Sequence, residues 1–81
     1  MVRVENEDLP VPPKLELGVY EHYKGRQYEV IGVGLDTETL EPVVIYKPLY
    51  ASNVPLWVRS HAMFTETITV GSKTVKRFRK H

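Results

Sequence analysis

From residue 18 onward the chain alternates apolar and polar positions in short runs. The runs are separated by glycine, proline and small polar clusters, and no run of helical period is long enough to pack a helix. Val19–Tyr23 reads as a short strand, followed by a Lys24-Gly25-Arg26 turn in which Gly25 is free to take a positive φ. Residues 27–35, QYEVIGVGL, read as a longer strand, with Gly32 and Gly34 marking a bend, a bulge or a close backbone approach. Residues 36–42 form a polar hairpin loop. Residues 42–50 contain VVIY, the most β-branched run in the chain and the expected central strand. After a loop, residues 56–59 (LWVR) form another short strand. Ser60–Phe64 is too short for a packed helix and reads as a single 3₁₀ turn. Residues 65–70 and 74–78 flank Gly71-Ser72-Lys73 as a hairpin, in which Thr65, Thr67 and Thr69 alternate with Glu66, Ile68 and Val70.

Residues 1–17 follow a different rule. Pro10, Pro12 and Pro13 bar a helix or a central strand and favour polyproline II, so this stretch is an arm that tethers the domain or lies on it as a flap. A proline-rich ligand for another domain is the alternative reading of the arm. The pattern predicts an all-β fold: a small SH3-like barrel of five or six short strands, with one 3₁₀ turn and no α-helix. Its parts are the arm (1–17), the barrel (18–79) and a frayed end (80–81).

Composition narrows the setting. A chain of 81 residues is one domain at most and buries only about 60% of its unfolded surface, so each large side chain counts. With 42% hydrophobic and 26% charged residues it is globular rather than disordered. It has no cysteine, hence no disulfide, thiolate nucleophile or thiolate metal site. It also has no apolar run of membrane-spanning length and no signal-peptide-like start, so a cytoplasmic location without membrane contact is expected. The net charge of +1 hides an asymmetry, because residues 72–81 hold five bases and no acid while the rest of the chain is acidic.

A joint pattern runs through the domain: GVYEHYKG, then Tyr28-Glu29-Val30, Glu38-Thr39-Leu40-Glu41-Pro42 with Val44 and Tyr46, LWVR, Met63-Phe64 and TVGSKTVKRF. Over roughly residues 18–79 it resembles the bacterial domain-of-unknown-function family 1653. The resemblance implies a small, mostly β, stand-alone bacterial domain and brings no activity with it. It also implies a structural role for Phe78, since an Arg-Phe pair recurs there. The chain departs from the family pattern where Leu35, Asp36 and Thr37 replace Arg-His-Ser, and where Ser60 replaces proline.

Little in the sequence points to chemistry. The three histidines, His22, His61 and His81, share no ligand spacing, so no metal site or cofactor is expected. No serine lies in a nucleophile-elbow context, and GVGLD lacks both the Lys-Ser/Thr and the helix of a phosphate loop. Pairs such as His22 with Glu38 or Lys24 with Asp36 are conceivable acid–base partners, but so small a core leaves few groups to wall a cleft, and no enzyme is expected.

The rings and cations are the richest signal. Tyr28, Tyr46, Trp57 and Phe64 are expected in the core. Tyr20, His22, Tyr23, Lys24, Tyr50 and Arg59 are candidates for a platform that stacks bases or grips a proline-rich peptide. Arg59 has a structural alternative, an ion pair with Glu38 or Glu41. Lys76, Arg77 and Arg79 are candidate phosphate contacts, or else charges that protect an edge strand. These features rank nucleic acid first as partner, a protein or proline-rich peptide second, and a small-ligand binder or small enzyme third.

Overall fold

The computed structural model describes residues 9–81. The first eight residues of the arm, which include the acidic Glu5, Glu7 and Asp8, fall outside the described residues. The described elements are β1 (Gly18–His22), β2 (Gln27–Leu35), β3 (Pro42–Pro48), β4 (Trp57–Ser60), α1 (His61–Phe64), β5 (Thr67–Val70), β6 (Lys73–Lys76) and β7 (Phe78–Lys80). Five of them form one antiparallel sheet in the order β4-β3-β2-β1-β7, and β5 and β6 pair only with each other. Among the described residues no helix is long and apolar enough to cross a membrane.

The all-β reading holds, but the sheets do not close into a barrel. Closure needs the two outermost strands to meet, and β4 and β7 lie at opposite edges. The connection between them, residues 61–77, carries α1 and the β5–β6 hairpin from one edge to the other without adding a strand to the sheet. The bend expected at the glycines is present as a β-bulge: Val30 opposes Tyr46, Gly32 opposes Ile45, and Ile31 is the extra residue.

Three local features differ from expectation. Ser60–Phe64 is not a 3₁₀ turn but one α-helical turn. The Ser60 hydroxyl caps it by accepting from Met63 N at 3.2 Å, and Thr65 N donates to His61 O at 3.0 Å. The C-terminal end, expected to fray, is paired with β1 in the structure, through Phe78–Lys80 and a bond donated by His81 N to Val19 O at 2.9 Å. The expected single strand 74–78 is split at Arg77. There the backbone N donates to Glu66 O at 3.0 Å and the carbonyl accepts from Tyr23 N at 2.9 Å, so the chain pivots between hairpin and sheet.

One face of the sheet carries the core. Strand alternation and register place Tyr20, Val30, Val44, Tyr46 and Phe78 on that face, and α1 lays Phe64 across it. Phe64 and Phe78 stack with centroids 4.1 Å apart and an interplanar angle of 6°, while Tyr20, Tyr28 and Tyr46 meet this pair edge-on. The arm also contributes. Leu15 packs against the cluster, and the Glu16 carbonyl accepts from the Tyr20 hydroxyl at 2.7 Å.

Candidate functional site

The turn after β1 sets the geometry of the site. His22 N donates to Arg26 O at 2.8 Å and Gly25 N donates to His22 O at 2.7 Å, closing a tight turn that Gly25 permits with φ 106°. Lys24 N donates to His22 Nδ1 at 3.2 Å, which leaves Nε2 to carry the proton of the neutral ring. The imidazole sits edge-on to Phe78 at 4.9 Å and to Tyr28 at 6.5 Å, with Tyr23 tilted against it at 4.6 Å.

Register brings β4 to the same place. Trp57 lies opposite Tyr46, and Arg59 lies opposite Val44, both on the core face. A shallow pocket of about 150 Å³ opens there, lined by His22, Tyr28, Tyr46, Trp57, Arg59 and Phe78. Arg59 Nε donates to the Tyr46 hydroxyl at 3.3 Å, and its guanidinium carbon lies 5.8 Å from the Phe78 ring centre. Neither Glu38 nor Glu41 pairs with Arg59, and among the described residues no carboxylate reaches it within ion-pair distance.

Electrostatics follow from that arrangement. Burial lowers the His22 pKa, and the charges of Arg59, Arg77 and Lys24 push it down further. The pocket is therefore uncharged at its histidine and positive at its rim. In its wall, burial and then a 2.8 Å hydrogen bond with the Tyr50 hydroxyl push the Tyr28 phenol up to about 12, so that phenol stays protonated at neutral pH.

A second, larger cleft of about 450 Å³ lies between the β1–β7 edge and the β5–β6 hairpin. Tyr23, Val70 and Val75 give it apolar walls; Glu21, Lys76 and Arg79 give it charge, and His22 lines both cavities. Glu21 accepts from His81 Nε2 at 3.1 Å and from Arg79 Nη2 at 3.3 Å, contacts that hold its pKa below the ordinary carboxylate range.

The candidates separate accordingly. His22 and Arg59 meet in the small pocket, and His22, Tyr23, Lys76 and Arg79 meet in the cleft. Tyr20 does not belong to either. It is only 5% exposed, with its hydroxyl engaged by the arm, and is corrected from platform to core. Lys24 and Tyr50 line neither cavity: Lys24 Nζ lies 5.8 Å from the Tyr23 ring centre, and the Tyr50 hydroxyl meets that of Tyr28 at 2.8 Å, with the Arg26 guanidinium 4.5 Å over the Tyr50 ring. Arg77 is committed to Glu66, to which Nε donates at 3.1 Å and Nη2 also reaches. Trp57, expected in the core, is 43% exposed and is the main ring that sequence reasoning assigned to packing. The signal was present in LWVR, where alternation alone puts Trp57 and Arg59 on one face.

The family model described as "Protein of unknown function (DUF1653)" matches residues 18–80. Among solved structures, a crystal structure of a DUF1653 protein from Bordetella bronchiseptica is similar, with 37% identity and a TM-score of 0.78; the match covers 83% of this chain and 87% of that chain. No curated protein matches the chain.

Proposed function

The chain belongs to the DUF1653 family, which carries no assigned activity, and from its own geometry we propose a non-catalytic module that binds single-stranded nucleic acid. The observation that carries this reading is Arg59: a half-buried guanidinium without a carboxylate partner among the described residues, set in an aromatic pocket beside a half-exposed tryptophan. A cation without a counter-ion beside open π-faces is the chemistry that takes a base on the ring and a phosphate on the guanidinium. At about 150 Å³ the pocket is well below the range for drug-sized ligands, which suits a single ring and not a stacked pair. That ring must come from an unpaired strand, because a base in a duplex offers no free face.

Trp57 is the one tryptophan in the chain, so its fluorescence reports the pocket directly. Titration with short mixed-sequence single-stranded DNA and RNA should quench it in a saturable way. The affinity should fall as salt rises and be largely lost in Arg59→Ala, with far-UV circular dichroism unchanged. Absence of quenching at low salt overturns the reading.

A second reading rests on β4, an edge strand whose neighbourhood exposes Leu56, Trp57 and Val58. An extended peptide could add to this edge, with one side chain beside Trp57. Saturation by a proline-rich peptide, insensitive to salt, would favour it.

A further inference from the structure

We propose that the cleft between the hairpin and the β1–β7 edge is a second subsite for the same strand, taking the nucleotide next to the one in the Trp57 pocket. This rests on the nucleic-acid reading above and adds where the strand goes and how much of it is bound.

Continuity is the first argument. His22 lines both cavities, and Tyr23 lies against its ring at 4.6 Å, so the two spaces adjoin across one pair of rings. By alternation Glu21 and Arg79 lie on the face opposite His22 and Phe78, so a strand leaving the pocket rounds the end of β1 at Tyr23 to enter the cleft. There Tyr23 offers a ring face, and Val70 and Val75 of the hairpin offer an apolar wall opposite.

Charge is the second argument. Lys76 lines the cleft and has no acidic partner among the described residues. Arg79 does have one, Glu21, but through a single 3.3 Å contact made by a side chain that is 71% exposed. Exposed pairs of this kind contribute little, so a phosphate can draw Arg79 away at small cost. Glu21 would not then be left bare, because His81 Nε2 still lies 3.1 Å from the same carboxylate oxygen.

The hairpin itself is the third. A two-stranded ribbon on its own is marginal in water. Here β5 and β6 pair with no other strand, and the Arg77–Glu66 contacts clamp the ribbon at its root. The ribbon thus stands over the cleft without being used by the sheet, with the cations Lys73 and Lys76 on it.

The test is a length series of oligothymidylates, from thymidine monophosphate to the hexanucleotide, followed by Trp57 quenching and by amide shifts of the labelled protein. Affinity should rise at least tenfold between the monophosphate and the trinucleotide, and shifts at Val70, Val75 and Lys76 should appear only with the longer probes. Lys76→Ala should weaken the hexanucleotide several-fold, leave the monophosphate unchanged, and flatten the salt dependence by about 0.7 in logarithmic slope. Val70→Glu, an exposed position, should act in the same selective way. Equal affinity across the series, or equal loss for short and long probes in Lys76→Ala, overturns the second subsite and leaves the Trp57 pocket standing. Absence of quenching by every probe overturns both.

Discussion

Replacing Phe78 and Trp57 by alanine, one at a time, should separate stability from binding. Both rings line the small pocket, yet they stand differently toward water: Phe78 is 4% exposed and Trp57 43%. Full burial of a phenylalanine is worth about 1.5–3 kcal/mol of transfer free energy. Phe78 adds a parallel stack on Phe64 at 4.1 Å and edge contacts with His22, Tyr28 and Tyr46, and such pairs contribute about 0.5–1.5 kcal/mol each. With the cavity left behind, Phe78→Ala should cost about 3–5 kcal/mol. A domain of 81 residues has roughly 4–12 kcal/mol in total, so the variant should be marginal, with Tm lowered by at least about 12 °C. Trp57 lies on an edge strand with almost half its surface in water, and its removal should cost about 1 kcal/mol of stability. In binding the order reverses: loss of one stacked base is worth about 1–3 kcal/mol, or roughly 5- to 150-fold in affinity. Urea and thermal unfolding should be followed by far-UV circular dichroism, since the Trp57 variant loses its fluorescence, and binding by amide shifts. If Trp57→Ala destabilises as much as Phe78→Ala, Trp57 is core and the pocket assignment fails.

Three further outcomes are expected. The His22 imidazole is held below its ordinary pKa, so the unfolded chain takes up the proton first. Its contribution to stability is complete above about pH 6.5 and is lost as pH falls through the folded-state value; His22→Gln should flatten that limb of the stability curve, and an NMR titration at or above pH 6.5 would contradict the cause given. In a spectrophotometric titration one tyrosine should ionise only near pH 12, and Tyr28→Phe should remove that step; its persistence would assign it elsewhere. Leu40 is the one non-glycine residue among those described with a positive φ, 61°, so Leu40→Asn should match or exceed the wild type in stability by up to about 1 kcal/mol, and a clear loss would mean the leucine side chain contributes more than its strain.

Most strand positions were legible because they follow from alternation and turn chemistry. β2 matches its expected span, and the hairpin turn falls at Gly71-Ser72, inside the expected Gly71-Ser72-Lys73, with Lys73 already in β6. Topology was not legible, since a strand count is the same whether a hairpin joins the sheet or stands off it. The break at Arg77 illustrates this: its backbone serves Glu66 on one side and Tyr23 on the other, partners distant in sequence. The site was half legible. His22 and Arg59 were chosen as polar residues among rings, and they meet. Tyr20 and Trp57 exchanged roles because alternation gives the side of a sheet but not how far a cover extends. The arm covers the face at Tyr20 and α1 lays Phe64 across it, while Trp57 on the edge strand β4 stays 43% exposed.

The pairing of β7 with β1 also bears on the order of events during synthesis. The partners Tyr20–Lys80, Glu21–Arg79 and His22–Phe78 are far apart in sequence, and loop closure must precede any gain from joining them. Phe78, one half of the central ring stack, is made after the other members of the core. The first strands to emerge can pair with their sequence neighbours, but the sheet lacks its fifth strand and the core its last ring until β7 is made. Until residue 78 exists, the nascent sheet holds Phe64 without its stacking partner and leaves β1 with an open edge. Removing a few residues at β7 therefore takes away a core ring as well as an edge strand, and acts on the whole fold rather than on its margin.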